Sequence, residues 1–119
     1  MTDTQPSTAA IRELNDAVRT ADTAIGALLA NGQLVITRGV AACGWDFVDR
    51  AVAAVRHFSD FTPENDPYGE HDFGAFDLDG LRLNWKIDYF DRELRYGSDD
   101  PSDAEKTRRV LTILLAEEY

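Results

Sequence analysis

From Ser7 to about Ala30 the apolar residues Ile11, Leu14, Val18, Ala21, Ile25 and Leu28 recur at spacings of three and four. That period predicts one amphipathic helix, with Ser7 as N-cap and Asn31-Gly32 as the stop. Arg12, Glu13, Asp16 and Arg19 fall off the stripe, toward solvent. Gln33–Arg38 is short, rich in β-branched residues and bounded by glycines, as a strand is. Phe47, Ala51, Val52, Val55 and Phe58 give a second helical stripe over roughly 45–58. The run from Asp60 to Gly69, with two prolines and a glycine, reads as a loop long enough to be functional.

Strict alternation follows. Leu81, Leu83, Trp85, Ile87 and Tyr89 interleave with Arg82, Asn84, Lys86 and Asp88, after an Asp79-Gly80 pair suited to a type I′ turn. This predicts a hairpin with Leu78 opposite Leu81, Asp77 opposite Arg82, Phe76 opposite Leu83 and Gly74 opposite Trp85. Phe76, Leu83, Trp85 and Ile87 should then share one core with Ile113 and Leu114. Ser102 and Glu105 have capping-box spacing before the apolar run Val110–Leu115, which predicts a closing helix packed on the sheet. The order helix, strand, helix, hairpin, helix implies an α+β fold: a small antiparallel three-stranded sheet with a hairpin-like pair, packed by about three helices on one face. Residues 1–6 read as a disordered tail and 7–119 as a single domain.

Composition narrows the classes. The chain has 119 residues and a net charge of −10, which disfavours direct contact with nucleic acid or an anionic membrane. No signal segment or apolar span is read, and the one cysteine, Cys43, suits a reducing compartment, so a cytoplasmic protein is expected. Residues 1–59 carry net −1, residues 60–105 net −10 and residues 106–119 net +1. A globule of this length is about 35 Å across, over which a nucleic-acid strand presents about 10 phosphates. The middle segment therefore approaches the charge density of a single strand, and a DNA mimic is quantitatively reasonable.

Glu64, Asp66, Glu70, His71 and Asp72 form the one cluster that suggests an oxygen-loving divalent metal, and with it a small metal-dependent enzyme. The spacing matches no zinc or EF-hand pattern, so neither metal nor cofactor is expected. His57 reads as a helix-surface histidine and Cys43 as a small hydrophobe with no histidine near it in sequence. Nothing specifies a catalytic residue, and the protein is read as no enzyme.

The runs FTPENDPYGEHDFGAF (61–76), WKIDYFDRELRYGS (85–98) and RRVLTILLAEEY (108–119) resemble a bacterial family of domains of unknown function, found largely in proteobacteria and often on plasmids or prophages. The resemblance spans about residues 9–119 and implies no catalytic residue. A small acidic protein of this type also resembles anti-CRISPR proteins that act on the type I-C surveillance complex, Cascade. Such inhibitors commonly occupy the basic groove of the backbone Cas7 subunits and block target DNA. This resemblance implies an acidic inhibitor of a basic nucleic-acid-binding complex; an antitoxin-like regulatory partner is the other non-enzymatic alternative. The carboxylates expected to meet the partner are Asp66, Glu70, Asp72, Asp77, Asp79, Asp88, Asp91 and Glu93.

Overall fold

The computed structural model describes residues 6–119. Its sheet has four strands, not three, and it is mixed. In chain order they are β1 (Gly32–Ile36), β2 (Phe73–Leu78), β3 (Leu81–Phe90) and β4 (Arg108–Leu115), arranged spatially as β1-β4-β3-β2. β1 runs parallel to β4, while β3 is antiparallel to both β4 and β2. Helices α1 (Pro6–Arg19), α2 (Ala24–Leu29), α3 (Arg38–Ala41) and α4 (Trp45–Arg56) supply one layer. The tail expected over 1–6 lies outside the described residues save for Pro6, where α1 begins.

The hairpin has the register its alternation predicts: Gly74 faces Trp85, Phe76 faces Leu83, and Asp77 faces Arg82. Asp79 and Gly80 have φ of 52° and 79°, the two positive values a type I′ turn requires. Gly74 has a second reason to be glycine. A Cβ there would stand 2.3 Å from the Trp85 indole nitrogen and 2.8 Å from Phe58, so the bare backbone lets the indole lie against β2.

The closing helix is corrected to a strand. Ser102 turns its backbone and hydroxyl back onto the Asp100 carboxylate instead of opening a helix. Residues 108–115 then enter the sheet between β1 and β3. A central strand is enclosed on both sides, so Val110–Leu115 is an almost unbroken apolar run that period alone does not separate from a buried helix. Alternation also moves Leu114 out of the expected core. Leu111 and Ile113 join Val18, Val40, Phe47, Val48, Ala51, Val55, Leu83, Trp85 and Ile87 beneath the helices, whereas Leu114 is buried on the opposite face. Phe76 packs against this core while staying partly exposed.

The single first helix is also corrected, because it breaks between α1 and α2. The Thr20 hydroxyl donates back to the Asp16 carbonyl, and Thr23 caps α2 by accepting from the Gly26 amide at 2.9 Å. Short hydroxyl side chains thus offer the backbone non-helical partners at the break. The Ala21 carbonyl freed by it accepts from Arg56 Nε at 2.9 Å.

Candidate functional site

The topology gives the sheet two unlike ends. The starts of β1, β2 and β4 and the finish of β3 lie together, since Gly32 pairs with Arg109, Phe90 with Arg108, and the Asp72 carbonyl accepts from Ile87. Loops 57–72 and 91–107 both open at this end. The first carries five acids and no Lys or Arg, net −5; the second carries six acids, two arginines and Lys106, net −3. Eight of the ten net negative charges therefore sit on two loops at one end of the molecule.

A buried polar hub ties those loops to each other. Asn15, wholly buried on α1, donates from Nδ2 to the Glu70 carbonyl (2.9 Å) and to the Tyr89 hydroxyl (2.8 Å). Its Oδ1 accepts from Arg109 Nε at 2.7 Å, and the same guanidinium donates to the Pro101 carbonyl. The Tyr89 hydroxyl donates in turn to Glu70 Oε1 at 2.8 Å. Glu70, Asn15, Arg109 and Pro101 thus form a hydrogen-bonded chain from one loop to the other. Burial holds the Tyr89 phenol well above its ordinary range, and the hydrogen bond to Glu70 pushes the same way, against the one from Asn15. Burial also lowers Arg109, opposed by the charges of Tyr89 and Glu70. No carboxylate makes an ion pair with Arg109 among the described residues; its guanidinium rests 5.1 Å above the Tyr89 ring.

Beside the hub, His71 pins loop 57–72 to α1. Its Nδ1 lies 3.1 and 3.2 Å from the Asp16 oxygens, and Nε2 faces Asp66 Oδ2 at 3.6 Å. The ring stacks on Phe61 with centroids 3.7 Å apart and planes 5° from parallel. His71 adopts φ of 55°, and its amide donates to Asp66 Oδ1 at 3.2 Å. Arg19 supports the arrangement by pairing with Asp16 at 3.0 Å while donating to the Val55 and Phe58 carbonyls.

An open depression of about 540 Å³ adjoins His71, lined in part by Arg12, Asp66, Tyr68 and Glu70. The Arg19–Asp16–His71 sequence has the order of a general-base relay. Yet the nitrogen that would take a substrate proton is turned onto a carboxylate. Cys43 follows α3 at the far end of β1, so the sheet separates the chain's one thiol from this imidazole. His57 is exposed just past α4. Among the described residues no three His, Cys, Asp or Glu side chains converge as a metal would need.

The eight carboxylates expected from sequence divide between the ends. Asp66, Glu70, Asp72, Asp91 and Glu93 belong to the loop end. There Asp66 is buried against His71, Glu70 serves the hub, and Asp91 accepts from the Arg95 amide. Asp72 is partly buried near Glu70, Asp66 and Asp88; desolvation chiefly, and then those charges, raise its carboxyl above the ordinary value. Asp88 lies on the helix-free face, paired with Lys86 at 2.7 Å. At the hairpin end, Asp77 pairs with Arg82 at 3.2 Å, and Asp79 takes a bidentate grip from Arg50 at 2.8 and 2.7 Å. The loop-end acids most open to a partner include four outside the expected set: Asp60, Glu64, Asp99 and Glu105. With Glu93 they are exposed, and their side chains make no hydrogen bond or ion pair among the described residues. Their position in polar, turn-forming sequence was the available signal.

Over residues 36–118 the chain matches the family described as protein of unknown function (DUF3768), and it belongs to that family. No curated protein and no solved structure matches it. None of the described helices is long and apolar enough to cross a membrane.

Proposed function

We propose that this protein is a non-catalytic binding module whose acid-rich loop end docks on a basic protein surface that otherwise grips nucleic-acid phosphates. One observation carries the reading: net −8 on two loops joined by a buried hydrogen-bonded chain. Across a 33 Å dimension of the molecule one nucleic-acid strand presents about 10 phosphates, close to that number. The hub favours binding as well, because loops tied to α1 and β4 lose little freedom on docking. The most specific partner is the DNA-binding groove of a type I-C Cascade, which the anti-CRISPR resemblance suggests; such an inhibitor would serve a mobile element.

The test is competition with target DNA for purified Cascade at low salt, using wild type and two charge-reversal variants. Reversing Glu64, Glu93 and Asp99 should abolish competition while circular dichroism stays unchanged. Reversing Glu13 and Asp49, exposed on α1 and α4, should do little. Competition should weaken steeply between 50 and 200 mM salt, values at which screening lengths differ by about twofold. Equal behaviour of the two variants, or DNA binding untouched by wild type, overturns the reading.

A further inference from the structure

Independently of the acidic end, we infer that the cleft between the α1–α2 break, α4 and β1 is a binding site for a small apolar carboxylate, a benzene-sized group carrying one negative charge. The cleft holds about 150 Å³. Cavities of about that size take up one benzene ring when their walls are aliphatic. It exists because the chain leaves helical geometry between Arg19 and Ala24, and because Ala21 and Ala27, which line the gap, are too short to fill it. Val18, Leu34, Val52 and Leu111 supply apolar walls from four different elements. Leu34 is 42% exposed, which leaves the cleft open to solvent.

Charge selects the occupant. Among the described residues two arginines, Arg19 and Arg56, line this cleft and no carboxylate does, in a chain of net −10. Arg19 is 5% exposed, its Nε makes no hydrogen bond, and its partner Asp16 is shared with His71. Arg56 is tethered through Nε to the Ala21 carbonyl, which holds the guanidinium at the break. Its two Nη groups make no hydrogen bond or ion pair among the described residues. Asp22, between the lining residues Ala21 and Thr23, is exposed and pairs with neither arginine. Two fixed guanidiniums beside apolar walls repel an amine, and the walls offer nothing to the hydration shell of a phosphate. A molecule with an apolar body and a single carboxylate uses both parts. Its ring replaces water against the aliphatic walls, and its oxygens accept from the Arg56 Nη groups in a charge-assisted pair.

Benzoate is the probe and benzyl alcohol its neutral control, each titrated into the full chain at about 150 mM salt, where the exposed acids are screened. Benzoate should bind with a Kd of about 1 mM or tighter and move the methyl resonances of Leu34, Val52 and Leu111 in NMR spectra. Benzyl alcohol should move the same methyls with about tenfold weaker affinity. Arg56→Gln should bring benzoate down to the level of the alcohol while the alcohol binds as before, a split that loss of structure would not produce. Ala27→Leu fills the cleft and should weaken both ligands. Should either variant fail to fold, the two wild-type titrations decide. Methyls unmoved at about 20 mM benzoate, equal affinity for acid and alcohol, or benzoate binding indifferent to folded Arg56→Gln or Ala27→Leu overturns the inference.

Discussion

The loop end and the hairpin end treat their acids in opposite ways. At the hairpin end Asp77 and Asp79 each face an arginine across exposed surface. Glu118 is similarly occupied, accepting from the Thr37 hydroxyl and from the Leu115 and Gly39 amides. At the loop end one buried arginine, Arg109, sits under a large acidic excess without pairing to any described carboxylate. One end neutralises its charge locally, while the other organises a polar interior and leaves charge outside. Net charge alone hides this difference; the partners of each carboxylate reveal it.

The deepest break in that contrast comes from Asn15→Ala. It leaves the buried Arg109 Nε without its acceptor and takes a donor from the Tyr89 hydroxyl and the Glu70 carbonyl, so stability should fall by about 3 kcal/mol in urea melts. A loss below about 1 kcal/mol would mean that water replaces the hub freely. Tyr89→Phe removes the hydroxyl joining Asn15 to Glu70 and should cost about 1–2 kcal/mol, with loop 57–72 exchanging its amides faster.

Asp72→Asn should move stability the other way. An acid raised in the folded state stabilises most when protonated, below its ordinary value of 3.8, and this contribution fades as pH climbs through the raised folded value. The variant should therefore melt higher than wild type at pH 7 and equal it near pH 3.8 and below, as thermal scans across pH would show. Smallest is Asp79→Asn at the hairpin turn. Arg50 holds that carboxyl below its ordinary range, so its contribution is present above the ordinary value and lost as pH falls through the lowered one. The pair is exposed, so the neutral-pH melt should barely change, and 1 M salt should erase what difference exists.

What the sequence disclosed follows the range of the interactions involved. The hairpin was legible because alternation, Asp79 and Gly80 lie within a few residues of each other. β4 was not, because an apolar run enclosed by two neighbouring strands has no period to read. The hub joins Asn15 to Arg109 across 94 positions of chain, and no local pattern links the two. Its traces were nonetheless present. Asn15 stands at stripe spacing from Ile11 and Val18, and Arg109 shares alternation with Leu111 and Ile113. The surface acids resisted reading for another reason: whether a carboxylate is free depends on which cation folding brings to it, as Arg50 is brought to Asp79 from α4.

Strand order bears on how the protein is made. On a ribosome, β1, the helices α3 and α4, and the β2–β3 hairpin are all synthesised before β4, although β4 is the strand that separates β1 from β3. Gly32 waits for Arg109, 77 residues later, and at about 5–20 residues per second that is a delay of seconds. Throughout it, β3 offers Leu83, Trp85 and Ile87 along an open backbone edge, and β1 has no ladder at all. The nascent chain is therefore most exposed to chaperones and to misassembly just before its final strand emerges, and insertion of that strand completes the sheet in one late step.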